Sequence, residues 1–283
     1  MGLTNSSIGL KAVDSGLEIK RQNADDKVVA LAGNPNVGKS TVFNALTGLN
    51  QHTGNWPGKT VTNAQGYCAG KKHGYVLVDI PGTYSLMAHS AEEEVARNFI
   101  CCGEPDAVVV VCDATCLERN LNLVLQTMEI SNRVVVCVNL LDEAKRKHIR
   151  IDLAQLSNKL GVPVVGTVAR KKNSLAALLH ALDGVTDGNY KAERPYTVRY
   201  CETVEAAVAI DEPVLRERLA GRLSSRWLSL KLLDQDESLI REINAYLGGG
   251  FLQDETLQQA LTQAGALLER RGIGPEQLKD RVV

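Results

Sequence analysis

Aromatic residues are scarce, 4% of 283 positions, so aliphatic side chains must fill any core. No apolar run approaches the roughly 18 residues of a membrane-crossing helix. Net charge is nearly absent, −1 at pH 7, which excludes a basic footprint over the whole chain; no nucleic-acid partner is expected. The seven cysteines are odd in number and lack a disulfide-framework spacing, which excludes a stapled secreted scaffold and favours reduced thiols. Cys101-Cys102, and Cys112 with Cys116, suggest a metal site, but no His or Cys partner recurs at zinc-like spacing. There is no fixed-period repeat, low-complexity tract or signal-peptide core, and residues 1–26 read as a polar, partly disordered extension.

What is present is an alternation. Runs of strand length at 28–32, 61–67, 75–79, 107–112, 134–139 and 162–166 are interleaved with helical patterns at 41–46, 92–100, 117–130, 153–160 and 175–182. This predicts an α/β fold: a mainly parallel sheet, helices on both faces, and ligands at the carboxyl ends of the strands. Residues 183–190 are rich in Gly and Asp and read as a linker. Helical patterns follow at 204–209, 214–231, 237–246, 255–270 and 275–281, predicting a small all-helical domain. The expected organisation is an extension over 1–26, a nucleotide-binding domain over 27–185 and a helical domain over 195–283.

The densest signal is Gly33-Asn34-Pro35-Asn36-Val37-Gly38-Lys39-Ser40, followed by Thr41. It fits the phosphate-binding pattern G-x-x-x-x-G-K-[ST], between a strand and a helix as that motif requires. Glycines let backbone N–H groups turn around phosphate oxygens, and the helix N-terminus adds positive potential. Lys39 is expected to reach the β- and γ-phosphates, and the Ser40 hydroxyl to bind Mg²⁺. Asn139-Leu140-Leu141-Asp142 ends the 134–139 strand. There the Asp142 carboxylate accepts from guanine N1–H and its exocyclic amine, whereas adenine presents an acceptor at N1; Asn139 braces the loop or touches the base. Asp79-Ile80-Pro81-Gly82 places Asp79 to hold a magnesium-bound water and the Gly82 N–H to meet the γ-phosphate. Thr60 completes the magnesium shell from a stretch, 51–59, that suits a mobile switch loop. Thr167-Val168-Ala169 offers backbone N–H groups to the guanine carbonyl. Together these predict binding of GTP and GDP. The glutamine that orients water in Ras-type proteins is missing; Thr83 and Tyr84 stand there, so hydrolysis is expected to be slow. Asn36 either caps the loop or ligates a monovalent cation. Glu92-Glu93-Glu94 reads as an exposed helix start.

With Gly54-Asn55-Trp56-Pro57-Gly58, Pro81-Gly82-Thr83-Tyr84-Ser85-Leu86, Ser90-Ala91-Glu92-Glu93, Arg226-Trp227-Leu228 and Glu269-Arg270-Arg271-Gly272-Ile273-Gly274 added, the chain resembles the cytosolic part of the bacterial ferrous iron transport protein B (FeoB) family. The resemblance implies a Ras-like GTPase domain, then a helical domain sometimes described as a nucleotide-dissociation-inhibitor-like module. It implies a polytopic membrane domain that moves Fe²⁺, so this soluble piece would lie at the cytoplasmic face of the bacterial membrane. It also implies Mg²⁺, activation by K⁺ held by Asn36, a catalytic set of Asn36, Lys39, Thr60 and Gly82, small accessory iron-transport proteins and a possible homo-oligomer. Lys59 departs from the apolar residue of many relatives and would weaken or mimic the cation site; Leu140 replaces the lysine of the common N-K-x-D motif. The alternatives are a soluble GTP-dependent switch that recruits a protein or RNA partner, and a binding module without turnover.

Overall fold

The computed structural model describes residues 17–48, 51–57, 59–87, 90–190 and 196–282. Its centre is a pair of valine-rich strands, β5 (Ala107–Asp113) and β6 (Val134–Asn139), buried on both faces. Continuous apolar strands of this kind need helices on both sides. Around them, β1 (Lys27–Gly33), β2 (Gln51–Asn55), β3 (Thr62–Ala69), β4 (Gly74–Asp79) and β7 (Val164–Gly166) complete one sheet of order β2-β3-β4-β1-β5-β6-β7. β4, β1, β5, β6 and β7 pair in parallel; β2 and β3 add an antiparallel edge.

Side chains alternate across the strands, and so do the two layers. Val29, Leu31, Val109 and Val111 pack with Val42 and Phe43 of α1 (Lys39–Thr47) and Leu178 and Leu182 of α6 (Ala176–Thr186). Ala30, Val108 and Val110 face Phe99 of α2 (Ala91–Cys102), and Leu123 and Val124 of α3 (Leu117–Ile130). Two short helices, α4 (Leu141–Arg146) and α5 (Leu153–Leu160), connect β6 to β7. The C-terminal part folds as α7 (Glu202–Leu219), α8 (Ser225–Leu233), α9 (Glu237–Tyr246), α10 (Glu255–Arg270) and α11 (Pro275–Lys279). Leu215, Leu219, Trp227 and Leu228 join the same apolar cluster as α2 and α3, so this part shares a core with the sheet layer. Polar contacts tighten the junction: Arg97, 1% exposed, pairs with Asp236 at 2.7 Å, and Tyr246 donates to Glu104 and Tyr200 to Glu129.

Several expectations from sequence are corrected. The stretch 51–59 is not all loop: 51–55 forms β2, whose polar residues pair along β3. Residues 183–190 are not a linker, because α6 runs to Thr186, buried Asp183 accepts from the Tyr75 hydroxyl at 2.6 Å, and Asp187 binds Lys72 and His73. The patterns at 204–209 and 214–231 are divided elsewhere than expected, since α7 runs through Pro213 and α8 starts only at Ser225. Burial of Leu215 and Leu219 carries α7 past the proline, and the break falls where Ala220 and Gly221 turn left-handed (φ 48° and 82°). The extension is docked from Leu17 onward: the Gln65 side chain donates to the Glu18 carbonyl and accepts from Lys20 N. Residues 1–16 lie outside the described part, as do 191–195.

One buried group gives the helical part a pH dependence. Asp211 of α7 is wholly buried and accepts from Ser229 of α8 at 2.6 Å, while its Oδ2 has no partner. Burial pushes its carboxyl up to about 6, against the Ser229 hydrogen bond. A carboxyl raised above its unfolded value destabilises the fold when ionised, and protonation relieves this as pH falls through the folded value. Relative to Asp211→Asn, the native chain should therefore lose about 2 kcal/mol of stability between pH ~4.5 and ~7.5. Urea unfolding of both proteins across that range checks this; a constant difference would refute it.

Candidate functional site

The site lies at the carboxyl ends of β1, β4, β6 and β7, where four loops meet. Residues 34–38 link β1 to α1. Gly38 is left-handed (φ 83°), and a Cβ there would lie 2.5 Å from Asn139 Nδ2. At Gly33 a Cβ would lie 2.7 Å from the Val111 carbonyl. Both positions therefore demand glycine. Asn34 is buried with neither amide atom partnered, a cost of about 1–3 kcal/mol that a ligand at this loop would relieve. Asn36 is exposed and left-handed (φ 67°); its side chain makes no hydrogen bond among the described residues, so it does not cap the loop.

Of the two roles open to Asn139, the structure gives the brace. At 1% exposure its Nδ2 donates to the Val37 carbonyl at 3.1 Å, and its Oδ1 accepts from Thr167 Oγ1 at 3.2 Å and Ala169 N at 3.1 Å. Leu140 turns left-handed (φ 62°) into α4, placing Asp142 in the first helical turn. Asp142 is half-buried and its carboxylate has no hydrogen bond or ion pair among the described residues. The N–H groups of the three residues after β7 have partners within the protein: Thr167 N donates to the Val138 carbonyl, Val168 N to Ser174 Oγ and Ala169 N to Asn139. Ser174 was not legible as a site residue, since a lone serine beyond a loop carries no spacing signal.

Lys39 Nζ is paired with Asp79 Oδ1 and donates to the Ile80 carbonyl at 2.7 Å. Burial pushes the Asp79 carboxyl up, and the Lys39 charge opposes that. Beyond Asp79, Thr83 N donates to the Gly33 carbonyl at 3.2 Å, laying Gly82 beside the phosphate-loop backbone; Thr83 Oγ1 bonds the Ser85 carbonyl and Glu93. Ser40, Thr41 and Thr60 are exposed. Thr60 sits in a short span between Trp56 and Val61, which are joined by a 2.8 Å backbone hydrogen bond. Trp56, buried edge-on against Phe99 at 5.2 Å, anchors that span. Lys59 binds Glu94 at 2.7 Å rather than the phosphate loop, so it does not mimic a cation there. Glu93 and Glu94 are accordingly not a simple exposed helix start: both hold neighbouring segments.

Residues 27–182 match the family described as ferrous iron transport protein B, and residues 200–282 match the FeoB cytosolic helical domain. The Fe(2+) transporter FeoB of Salmonella choleraesuis is 40% identical over 214 residues, which are 74% of this chain and 27% of that protein. An Fe(2+) transport protein A/Fe(2+) transporter FeoB fusion protein of Porphyromonas gingivalis is 37% identical over 223 residues, 78% of this chain and 26% of that protein. The chain thus spans about a quarter of the length of these relatives. The cytosolic domain of the T. maritima FeoB iron transporter in a GDP form superposes with a TM-score of 0.67 at 31% identity, covering 90% of this chain and 96% of that one.

The two residues of the N-x-x-D tetrad should respond oppositely to truncation. Asn139→Ala strands the Val37 carbonyl and the Ala169 N–H and takes one of the Thr167 hydroxyl's partners, and is expected to cost roughly 2–3 kcal/mol of stability. Asp142→Ala removes no internal partner and should stay within about 0.5 kcal/mol of the native chain. Urea unfolding tests both, and equal losses would contradict this assignment.

Proposed function

The chain belongs to the ferrous iron transport protein B family, and from that membership we propose that it binds guanine nucleotides, hydrolyses GTP slowly, and through its nucleotide state regulates Fe²⁺ passage through a membrane domain of the full-length protein, at the cytoplasmic face of the bacterial membrane. No helix of the described residues is long and apolar enough to cross a membrane itself. The observation that carries the reading is the contrast between Asn139, fully engaged within the protein, and Asp142, a fixed carboxylate with no partner. Such a carboxylate suits the two donors of guanine and is left poorly paired by adenine.

The remaining roles are part of the same proposal. Gly33 to Thr41 wrap the phosphates, with Asn34, Pro35, Val37 and Gly38 supplying the loop. Lys39 leaves Asp79 for the β- and γ-phosphates. That exchange would free the Asp79 carboxylate, and Ser40, Thr60 and Asp79 would hold Mg²⁺, Asp79 through a water. Bound Mg²⁺ would supply positive charge to the phosphate oxygens. The Gly82 N–H meets the γ-phosphate, and Thr167, Val168 and Ala169 flank the base. Neither Thr83, bonded to Ser85 and Glu93, nor Tyr84 offers a side-chain amide to water, which supports slow turnover. Asn36, exposed and unpartnered, is available to K⁺.

Regulation has a physical route. Lys59 of the Thr60 span binds Glu94, whose other oxygen accepts from Ser238 of α9 at 3.2 Å; one turn on, Arg97 holds Asp236. A change at Thr60 therefore reaches the helical domain through α2. The Porphyromonas gingivalis relative, which joins transport protein A to the transporter, supports a small accessory protein as partner; self-association is a further part of the proposal.

Turnover of GTP by the purified chain with Mg²⁺ tests the reading, in KCl and NaCl at equal ionic strength with ATP as control. Faster GTP hydrolysis in KCl, lost in Asn36→Ala, is expected; equal rates in both salts would remove the cation role. Asp142→Asn should cut the preference for GTP over ATP by about 100-fold, and retained selectivity would overturn the guanine assignment. Glu94→Gln breaks the ion pair with Lys59, and GDP release should change severalfold while the melting temperature holds; unchanged release would remove this route.

A further inference from the structure

The segment Gly82–Leu86 is held from two sides, and only one belongs to the phosphate loop. On the other side stands α3. Arg119 lays its guanidinium 4.2 Å from the centroid of the Tyr84 ring, and that stack is the contact it makes: it has no ion pair or hydrogen bond among the described residues. Seven residues on, Gln126 accepts from Leu86 N at 2.6 Å and donates to Ser85 Oγ at 3.3 Å. Gln126 is buried, so its amide serves this segment rather than solvent. Positions 119 and 126 are two turns apart and share one helix face. The helix itself is fixed: Asn120 accepts from Asp113 N at 2.5 Å, and Leu123 and Val124 lie in the core.

Resting on the GTPase reading above, we propose that Arg119 and Gln126 are positioning residues for hydrolysis: α3 registers the backbone after Gly82 and so fixes where the Gly82 N–H meets the γ-phosphate. A chain whose loop lacks a water-orienting glutamine depends on where that backbone sits. Thr83 fixes one end of the segment on the Gly33 carbonyl, and the α3 pair fixes the other. Tyr84, 44% exposed, has no other ring contact and no side-chain hydrogen bond among the described residues.

The test uses the whole chain, with kcat, KM, affinity for fluorescent GDP and melting temperature measured in parallel. Arg119→Ala and Tyr84→Ala should each lower kcat about threefold, the scale of an exposed cation–π contact, without moving GDP affinity or melting temperature. The double variant should fall no further than either single one, because both remove the same contact. Tyr84→Phe keeps the ring and should keep kcat. Gln126→Ala leaves the Leu86 N–H without its acceptor and should lower both kcat and melting temperature, so the exposed pair carries the decision. Unchanged kcat in both single variants, additive losses in the double variant, or losses matched by weaker GDP binding and lower melting temperature would each overturn the proposal. A native chain that turns over no GTP overturns the GTPase reading and this proposal with it; native turnover that the variants leave unchanged overturns this proposal alone.

Discussion

The site depends on one buried amide. Asn139 has three hydrogen bonds that tie two other segments to it: one to the phosphate loop, and two to the loop after β7, through the hydroxyl of Thr167 and the N–H of Ala169. An amide has a fixed shape, with donors on one side and acceptor lone pairs on the other. It therefore sets the distances between the loops as well as joining them. The glycine at 38 follows from this, because its left-handed turn and missing Cβ leave room for the Asn139 nitrogen. Leu140 follows too: its left-handed conformation turns the chain away from the occupied corner and delivers Asp142 to the rim. Such a turn costs a non-glycine residue about 1 kcal/mol, acceptable only where the neighbours leave no other path.

A second constraint is electrostatic. Lys39 and Asp79 are each other's partners in the structure, and both are poorly solvated. Neither can leave without the other losing its counter-charge, which is costly in a partly buried site. A phosphate that draws Lys39 away thus creates a demand for a cation beside Asp79. An anion that draws Lys39 away and a cation drawn to Asp79 would therefore favour each other electrostatically. The same logic extends outward, where Glu94 is held below its usual range chiefly by Lys59, with Ser238 on its other oxygen. Contacts of this exposed kind are weak singly, worth up to about 1 kcal/mol, which suits an element that must change partners. The buried Arg97–Asp236 pair beside them is the stiffer link.

What was legible in the sequence was what local chemistry dictates. The phosphate loop, Asp79 to Gly82 and the N-x-x-D tetrad each need particular residue types at fixed spacing, and valine runs announce a doubly covered sheet. What was not legible depends on distant partners. Residues 51–55 look like loop because both faces are polar, and become a strand only because β3 offers its edge. Residues 183–190 have linker composition, yet Asp183 is fixed by Tyr75, over a hundred positions earlier. The patterns at 204–209 and 214–231 join into one helix as far as Leu219 because burial of Leu215 and Leu219 carries α7 past Pro213. Trp56 could be recognised as part of a motif, but its role as an anchor against Phe99 could not. The internal partners of the N–H groups after β7 were hidden for the same reason, since Ser174 and Asn139 reach them from outside the motif.

The shared core gives these weak loop contacts their leverage. Had the helical part been tethered by a flexible linker, a shift at Thr60 would be lost in the freedom of the tether. Instead α2 has one face in the sheet's core and polar residues against α9, and Leu215, Leu219, Trp227 and Leu228 close the same apolar cluster from the other side. Packed interiors tolerate discrete rearrangement better than continuous deformation. A displacement of α2 must therefore carry α9 with it or break the Arg97–Asp236 pair, and a buried guanidinium left alone is the costlier outcome. The geometry favours movement of the two as a unit, which is what a nucleotide-dependent signal requires to leave the loops where it arises.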